Sequence, residues 1–165
     1  RESIVSNVGE YAVGQTSVPC HSVMTKIALI HGPNLNLLGQ RNPEVYGDLT
    51  LEKLEEAVAA RAAQLGAGVQ AFQSNHEGEL IDALHAAGQS CQGVVFNPGG
   101  FSHTSVALRD AVEAIQIPVV EVHISNIHGR EHFRRTSLTA AAAKACISGL
   151  GLQGYLSALE ALLDV

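Results

Sequence analysis

Tryptophan is absent from the 165 residues, cysteine occurs three times, and no hydrophobic run approaches the length of a membrane span. A spanning helix needs about 20 mainly apolar residues in succession. Cys20, Cys91 and Cys146 are odd in number and widely spaced, so they form neither a CxxC pair nor a zinc-type motif. We interpret them as free thiols in a reducing compartment, and we expect a cytoplasmic protein without a secretory signal.

Positive charge is also scarce, because 10 lysines and arginines stand against 16 aspartates and glutamates. The net charge of −6 argues against binding to nucleic acids or to anionic membranes. A small anionic substrate is still compatible with the composition, since a few arginines can dominate the field of one cleft.

The chain is expected to fall into two parts. Residues 1–23 show neither a helical nor a strand period, and Met24 directly precedes the first strong strand pattern. We therefore expect an N-terminal extension with no assigned function over residues 1–23 and a single domain over residues 24–165.

From residue 24 onward, short β-rich runs alternate with amphipathic helical stretches. Strands are predicted over 26–30, 68–73, 93–97, 118–123 and 145–148. Helices are predicted over 51–65, 77–87, 104–116 and 155–163, with a short alanine-rich helix over 138–144. Gly66 and Gly88 would end the first two helices, and Ser74 with Glu77 would form a capping box. This order predicts an α/β protein, a flavodoxin-like doubly wound sheet of five parallel strands with helices on both faces.

Such sheets bind ligands at the carboxyl ends of their strands, and the loop after the first strand is long and irregular. Its sequence, HGPNLNLLGQRNPEVYGDLT, contains Asn34, Arg41 and Tyr46. A tyrosine beside an arginine can act as a base if the positive field lowers the phenol pKa from its usual value of about 10. The alternative is a surface loop whose tyrosine packs against the domain.

The loop after the third strand, FNPGGFSHTS, places Asn97 at the strand end and His103 just before a helix. Backbone amides at a helix start favour oxyanions and hydroxyl groups. The glycine pair is not a GxGxxG motif, so the fingerprint of a dinucleotide site is missing. A water-exposed histidine near the helix start is the alternative for His103.

The stretch EVHISNIHGREHFRR begins in the fourth strand and continues beyond it. Side chains alternate along a strand, so Glu121 and His123 point to the same side and the carboxylate can orient the imidazole. Ile124 and Ser125 follow at the strand end, where a free N–H group and a hydroxyl can bind a carboxylate.

The histidines and arginines of the same stretch leave three interpretations. A metal site at His123, His128 and His132 is disfavoured, because the spacing matches no HExxH motif and arginines lie beside the ligands. A solvated basic face is a second interpretation. The third, which we favour, is a catalytic site that binds an anion.

Together these segments resemble type II 3-dehydroquinate dehydratase. The matching stretches are HGPNLNLLGQRNPEVYG, QSNHEGELID, NPGGFSHTSVALRDA, EVHISNIHGREHFRR and GLGLQGYLSALEAL. The resemblance implies a cofactor-free and metal-free enzyme, assembled as a homododecamer (a tetramer of trimers). The implied reaction is anti elimination of water from 3-dehydroquinate through an enolate to give 3-dehydroshikimate, in aromatic biosynthesis or in quinate catabolism.

Catalytic roles follow from the resemblance for residues that match the family's motifs. Tyr46 would remove a proton next to the substrate ketone, and His123, backed by Glu121, would protonate the departing hydroxyl. Arg41 would stabilise the charge of the transition state, and Asn34 would hold the enolate through water.

Substrate-binding roles are implied for Asn97, His103, Asp110, Ile124, Ser125 and Arg134. The N–H of Ile124 and the Ser125 hydroxyl would hold the carboxylate. The resemblance also implies that the ring hydroxyls of the substrate would be bound by Asn97, His103 and Arg134. It further implies that Asp110 would reach the site of a neighbouring subunit.

Three competing hypotheses can be weighed against the residues. A lysine imine mechanism is disfavoured, because Lys26, Lys53 and Lys144 all lie outside the three loops. A flavin-binding or signalling module rests on the fold alone, which does not fix function. An inactive homologue fits poorly with a sequence that contains every proposed catalytic group.

Overall fold

The computed structural model describes residues 24–40 and 49–164. The expected extension over residues 1–23 falls outside these ranges, as do Arg41 and Tyr46 of the long loop. Within these ranges, no helix has the length and apolarity that crossing a lipid bilayer requires.

Five parallel strands form one sheet in the order β2-β1-β3-β4-β5. This is the flavodoxin-like order, and it confirms the predicted fold class. All five predicted strands are present, with ends that differ by at most one residue. The strands are β1 (Thr25–His31), β2 (Ala67–Gln73), β3 (Gly93–Asn97), β4 (Val119–His123) and β5 (Ala145–Ser148). The α-helices are α1 (Leu51–Gln64), α2 (Glu77–Ser90), α3 (Val106–Ala114) and α4 (Leu152–Leu162).

Two hydrophobic cores lie on opposite faces of the sheet, because successive strand side chains alternate between the faces. In β1, Ile27 and Leu29 pack with α1 and α4, whereas Ala28 and Ile30 pack with α2 and α3. Strands buried on both faces read as nearly continuous apolar runs, which explains why β1, β3 and β4 are recognisable in the sequence.

Two of the helices begin at side-chain caps. The Thr50 hydroxyl accepts a hydrogen bond from the Lys53 N–H (3.3 Å), and the Ser105 hydroxyl accepts one from the Leu108 N–H (2.8 Å). Gly66 follows α1 with a φ of 75°, which confirms the predicted glycine at the helix end.

The prediction for the start and end of α2 was wrong in detail. Ser74 accepts a hydrogen bond from the His76 N–H (2.9 Å) and donates one to Glu79 rather than pairing with Glu77. Gly88 lies inside the helix, which continues to Ser90. A glycine inside a helix costs only about 1 kcal/mol relative to alanine, so packing can carry the helix past it.

The predicted helix over 138–144 was also wrong, because these residues form turns. The Leu138 N–H donates to the Ser102 carbonyl (2.7 Å), and the Thr139 hydroxyl donates to Glu121 (2.5 Å). Both groups are thereby committed to tertiary contacts, and these contacts override the helix propensity of the alanines.

Candidate active site

A cavity of about 270 Å³ opens at the carboxyl edge of the sheet, where the loops after β1, β3 and β4 meet. The strand order reverses between β1 and β3, so the cavity lies at the point where doubly wound sheets bind ligands. Its lining includes seven of the predicted site residues: Asn34, Asn97, His103, His123, Ile124, Ser125 and Arg134.

His123 lines the floor of this cavity and is paired with a buried carboxylate behind it. His123 is 5% exposed and Glu121 is fully buried, and His123 Nε2 lies 2.7 Å from Glu121 Oε1. The predicted same-side geometry of the two residues is therefore present. The Ser137 hydroxyl donates to Glu121 Oε1 (2.7 Å) and the Thr139 hydroxyl to Oε2 (2.5 Å).

His103 lies against His123 with nearly parallel rings, whose centroids are 6.5 Å apart. Its Nδ1 is 2.8 Å from the Thr136 carbonyl oxygen. A carbonyl oxygen only accepts hydrogen bonds, so Nδ1 carries the proton, and Nε2 is the nitrogen left for a ligand.

Asn97 ends β3 with both ends of its side-chain amide engaged. Nδ2 donates to the Tyr155 hydroxyl (2.7 Å), and Oδ1 accepts from the Gly99 N–H (3.0 Å). One Nδ2 hydrogen remains for a ligand, because an amide nitrogen has two. Burial raises the pKa of Tyr155 far above its usual range, so its hydroxyl stays protonated.

The loop after β1 approaches the β3 loop closely at Gly32. A Cβ on Gly32 would lie 2.5 Å from the Pro98 carbonyl oxygen, and the Gly32 N–H donates to the Asn97 carbonyl (2.7 Å). Asn34 adopts a left-handed conformation with a φ of 67°, and its N–H donates to Asn75 Oδ1 (2.8 Å). The close contact therefore keeps Asn34 beside Asn97 at the cavity wall.

Arg130 also lines the cavity, although the sequence pattern alone gives it no role in the site. Its Nη1 donates to the Ser125 hydroxyl (3.3 Å), next to the Ile124–Ser125 backbone. Arg134 also lines the cavity, and its Nε donates to Glu131 (2.8 Å). Hydrogen bonds from the Glu131 N–H and from Arg134 hold the pKa of Glu131 below its usual value.

With this geometry in place, comparisons with known proteins decide the family. The sequence profile of the dehydroquinase class II family matches residues 25–163. The chain belongs to this family. It is 54% identical over 142 residues to the 3-dehydroquinate dehydratase of Halothermothrix orenii, covering 86% of this chain and 96% of that protein. It is 51% identical over 137 residues to catabolic 3-dehydroquinase 2 of Neosartorya fischeri, covering 83% and 91%.

The fold agrees with this assignment. The crystal structure of type II dehydroquinase from Propionibacterium acnes superposes with a TM-score of 0.82 at 38% identity, covering 86% of this chain and 99% of that one. Dehydroquinases are hydro-lyases, and this chain is an enzyme of that class.

Among the described residues, two predicted site residues do not line the cavity. Glu121 lies behind His123, in the position expected of a residue that orients the imidazole. Asp110 is exposed on α3 and contacts Arg109 (3.3 Å). Arg41 and Tyr46 belong to the segment outside the described residues.

Among the residues that the structure describes, one group of side chains could bring metal ligands together, but it suits a metal ion poorly. Glu121, His123 and Cys146 have ligand atoms within 4.8 Å of one another, whereas His128 and His132 are exposed. The Glu121 carboxylate already accepts three hydrogen bonds. Burial, and then the charge of Glu121, raise the pKa of Cys146 to about 11, which keeps the thiol protonated. The oxygens of the carboxylate are already occupied by hydrogen-bond donors, so this set disfavours a metal.

Proposed function

We propose that this dehydroquinase eliminates water from 3-dehydroquinate by an anti mechanism through an enolate, without a metal or an organic cofactor. The observation that carries the proposal is the buried Glu121–His123 pair, whose imidazole faces the cavity. A histidine oriented by a carboxylate is a typical general acid, and proton transfer of this kind contributes about 10²–10⁴ in rate.

His123 is the proposed acid that protonates the departing hydroxyl. Glu121 accepts from Nε2, so Nδ1 is the ring nitrogen that delivers the proton to the substrate. In the proposed step Nδ1 takes up a proton and passes it to the departing hydroxyl, while the Nε2 hydrogen stays bonded to Glu121 and holds the ring in place.

Tyr46 is the proposed base, with Arg41 stabilising the phenolate and the charge of the transition state. The sequence has three tyrosines, Tyr11, Tyr46 and Tyr155. Burial keeps Tyr155 protonated, so it does not supply a phenolate. The three lysines do not line the cavity, which favours enolate chemistry over an imine.

Substrate binding is proposed to follow the chemistry of the cavity wall. The N–H of Ile124 and the hydroxyl of Ser125 hold the carboxylate. Asn97, His103 and Arg134 bind the ring hydroxyls, and Asn34 holds the enolate oxygen through water. The free Nδ2 hydrogen of Asn97 and the free Nε2 of His103 support these assignments.

We also propose that the enzyme is a cytoplasmic homododecamer built from four trimers, in which Asp110 reaches a neighbouring subunit's site. The exposed position of Asp110, away from its own chain's cavity, supports this role. The chemistry is the same whether the pathway makes aromatic compounds or degrades quinate.

Turnover of 3-dehydroquinate tests the proposal directly. We expect metal-free protein to form the conjugated enone, seen as rising ultraviolet absorbance. Tyr46→Phe and His123→Ala should each lower kcat by about 10²-fold or more, because each removes a proton-transfer group. His85→Gln, an exposed histidine on α2, is the control and should keep full activity. Absence of turnover, or inactivation by borohydride only when substrate is present, would contradict the proposed mechanism.

A further inference from the structure

Residues 136–139 contact both histidines of the cavity, directly or through one carboxylate. The Thr136 carbonyl accepts from His103 Nδ1 (2.8 Å). The hydroxyls of Ser137 and Thr139 donate to Glu121, which in turn accepts from His123 Nε2. The segment follows the 3-10 turn His132–Arg135 and has no helical structure of its own.

Hydrogen counting shows that both hydroxyls are committed to Glu121. A hydroxyl has one hydrogen to donate. Ser137 Oγ accepts from the Ala140 N–H (3.1 Å), which leaves its own hydrogen for Glu121 Oε1. The Thr139 hydrogen goes to Oε2. Both hydroxyl hydrogens therefore point to Glu121, and no hydrogen bond joins the two hydroxyl oxygens, which lie 3.2 Å apart.

These two donors matter because Glu121 is fully buried. Burying an ionised carboxylate costs a great deal of free energy unless hydrogen bonds replace its water. Hydrogen bonds to a charged acceptor are about twice as strong as neutral ones. The hydroxyls thus replace water around the Glu121 carboxylate and fix the plane in which its oxygens lie.

An acceptor-only Glu121 selects one form of the neutral His123 ring. Nε2 must carry a proton to bond to Oε1, so Nδ1 is the nitrogen that takes up the second proton and passes it to the departing hydroxyl. If Glu121 lost a donor and turned, Nε2 would no longer be held as the donor. His123 would then present the wrong nitrogen, or the wrong angle, to the substrate.

We propose that Ser137 and Thr139 are positioning residues of the dehydration, acting on His123 through Glu121. This inference rests on the proposed function of His123 as the general acid. It differs from a purely structural role, in which the hydroxyls would serve only to satisfy a buried carboxylate and their loss would reduce stability alone.

Matched substitutions at Thr139 separate the two roles. Thr139→Val keeps the shape and removes the hydroxyl, whereas Thr139→Ser keeps the hydroxyl and removes the methyl. We expect Thr139→Val and Ser137→Ala each to lower kcat by about 10- to 100-fold, with KM within about threefold of the wild type. Thr139→Ser should retain kcat within about twofold. Ser105→Ala, which removes the buried cap hydroxyl of α3, should reduce stability and leave kcat within the same limit.

Nitrogen NMR of histidine-labelled, substrate-free protein supplies a readout that does not depend on turnover. The His123 signals, assigned with His123→Ala, should report a proton on Nε2 in the wild type and in Thr139→Ser. In Thr139→Val and Ser137→Ala they should shift towards the other tautomer.

Two results would overturn the inference. One is a His123 tautomer that stays unchanged in folded Thr139→Val and Ser137→Ala. The other is a loss of kcat in Thr139→Ser equal to that in Thr139→Val. If Thr139→Val does not fold, the half-buried Ser137→Ala decides alone. A wild type without turnover would contradict the proposed function, and the NMR result would still show whether the two hydroxyls set the tautomer.

Discussion

His31, at the end of β1, is a buried histidine that the proposed reaction does not use. It is fully buried, and among the described residues neither ring nitrogen has a hydrogen-bond partner. Glu55 Oε1 comes within 3.4 Å of Nε2, but without hydrogen-bond geometry. Burial lowers the pKa of His31 to about 4, so the ring is neutral near pH 7 and the approach is not an ion pair.

This burial predicts a specific loss of stability in acid. The unfolded chain binds a proton at His31 below about pH 6.5, whereas the folded protein excludes it until about pH 4. The free energy of unfolding should therefore fall as the pH drops through this window, by about 3 kcal/mol from this residue. Urea unfolding at pH 7 and pH 4 measures this fall. Between the two pH values, the free energy of unfolding of His31→Phe should fall by about 3 kcal/mol less than that of the wild type.

The matched control for His31→Phe is His85→Gln, because His85 is exposed on α2. That variant should show the same pH dependence as the wild type. Equal acid sensitivity of the wild type and His31→Phe would show that His31 does not titrate as its burial indicates.

Single residues also show what the sequence does and does not reveal about the site. Glu121, His123 and His103 are predictable from strand alternation and from their place after a strand. Ser137 and Thr139 are not, because their partner Glu121 lies 16 and 18 residues away along the chain. Arg130 was noticed only as part of a charged cluster, and its contact with Ser125 depends on a 3-10 turn at Ile127–Gly129 that no sequence period indicates.

At the scale of elements, prediction succeeds where local pattern and burial agree. Strands β1, β3 and β4 were predicted to within one residue because they are buried on both faces and stand out as apolar runs. In the turn segment over 138–144, by contrast, the local sequence pattern and the tertiary contacts disagree. Its alanines favour a helix locally, while its neighbours are held by Ser102 and Glu121.

The contact between the β1 and β3 loops predicts different effects for two glycine substitutions. Gly32→Ala would place a methyl group 2.5 Å from the Pro98 carbonyl oxygen, so the backbone must move. We expect a loss of at least 2 to 3 kcal/mol, roughly the size of an overpacked core site, together with reduced kcat because Asn97 is displaced.

Gly78→Ala is the control for this effect. Gly78 lies in the first turn of α2 with open space around its Cα, and alanine favours a helix by up to about 1 kcal/mol. This variant should be as stable as the wild type or slightly more so, with unchanged kcat. Thermal unfolding and the 3-dehydroquinate assay measure both variants. A Gly32→Ala protein with normal stability would mean that the two loops can separate at little cost.

At the scale of the whole molecule, the proposed assembly makes a prediction about mass. Twelve chains of 17.3 kDa weigh about 208 kDa, and one trimer about 52 kDa. Val106 and Asp110 lie four residues apart on α3, and Val106 is 58% exposed. An apolar side chain beside Asp110 is consistent with a neighbouring subunit at this face.

Static light scattering of the purified protein should therefore give about 208 kDa. Asp110→Asn should keep this mass and lower kcat/KM, because the change alters the proposed contact with a neighbour's substrate without removing apolar area. A mass near 17 kDa in a turning-over enzyme would contradict both the assembly and the role of Asp110.

The burial of Tyr155 has an optical consequence. A chain without tryptophan has a near-ultraviolet spectrum dominated by its three tyrosines, and burial keeps one of these from forming a phenolate while the fold is intact. In a Tyr11→Phe protein, alkaline difference absorbance would then count a single phenol, that of Tyr46. The ultraviolet absorbance of the phenolate would then report the ionisation of the proposed base, which we expect at a pH below about 10, the pKa of free tyrosine.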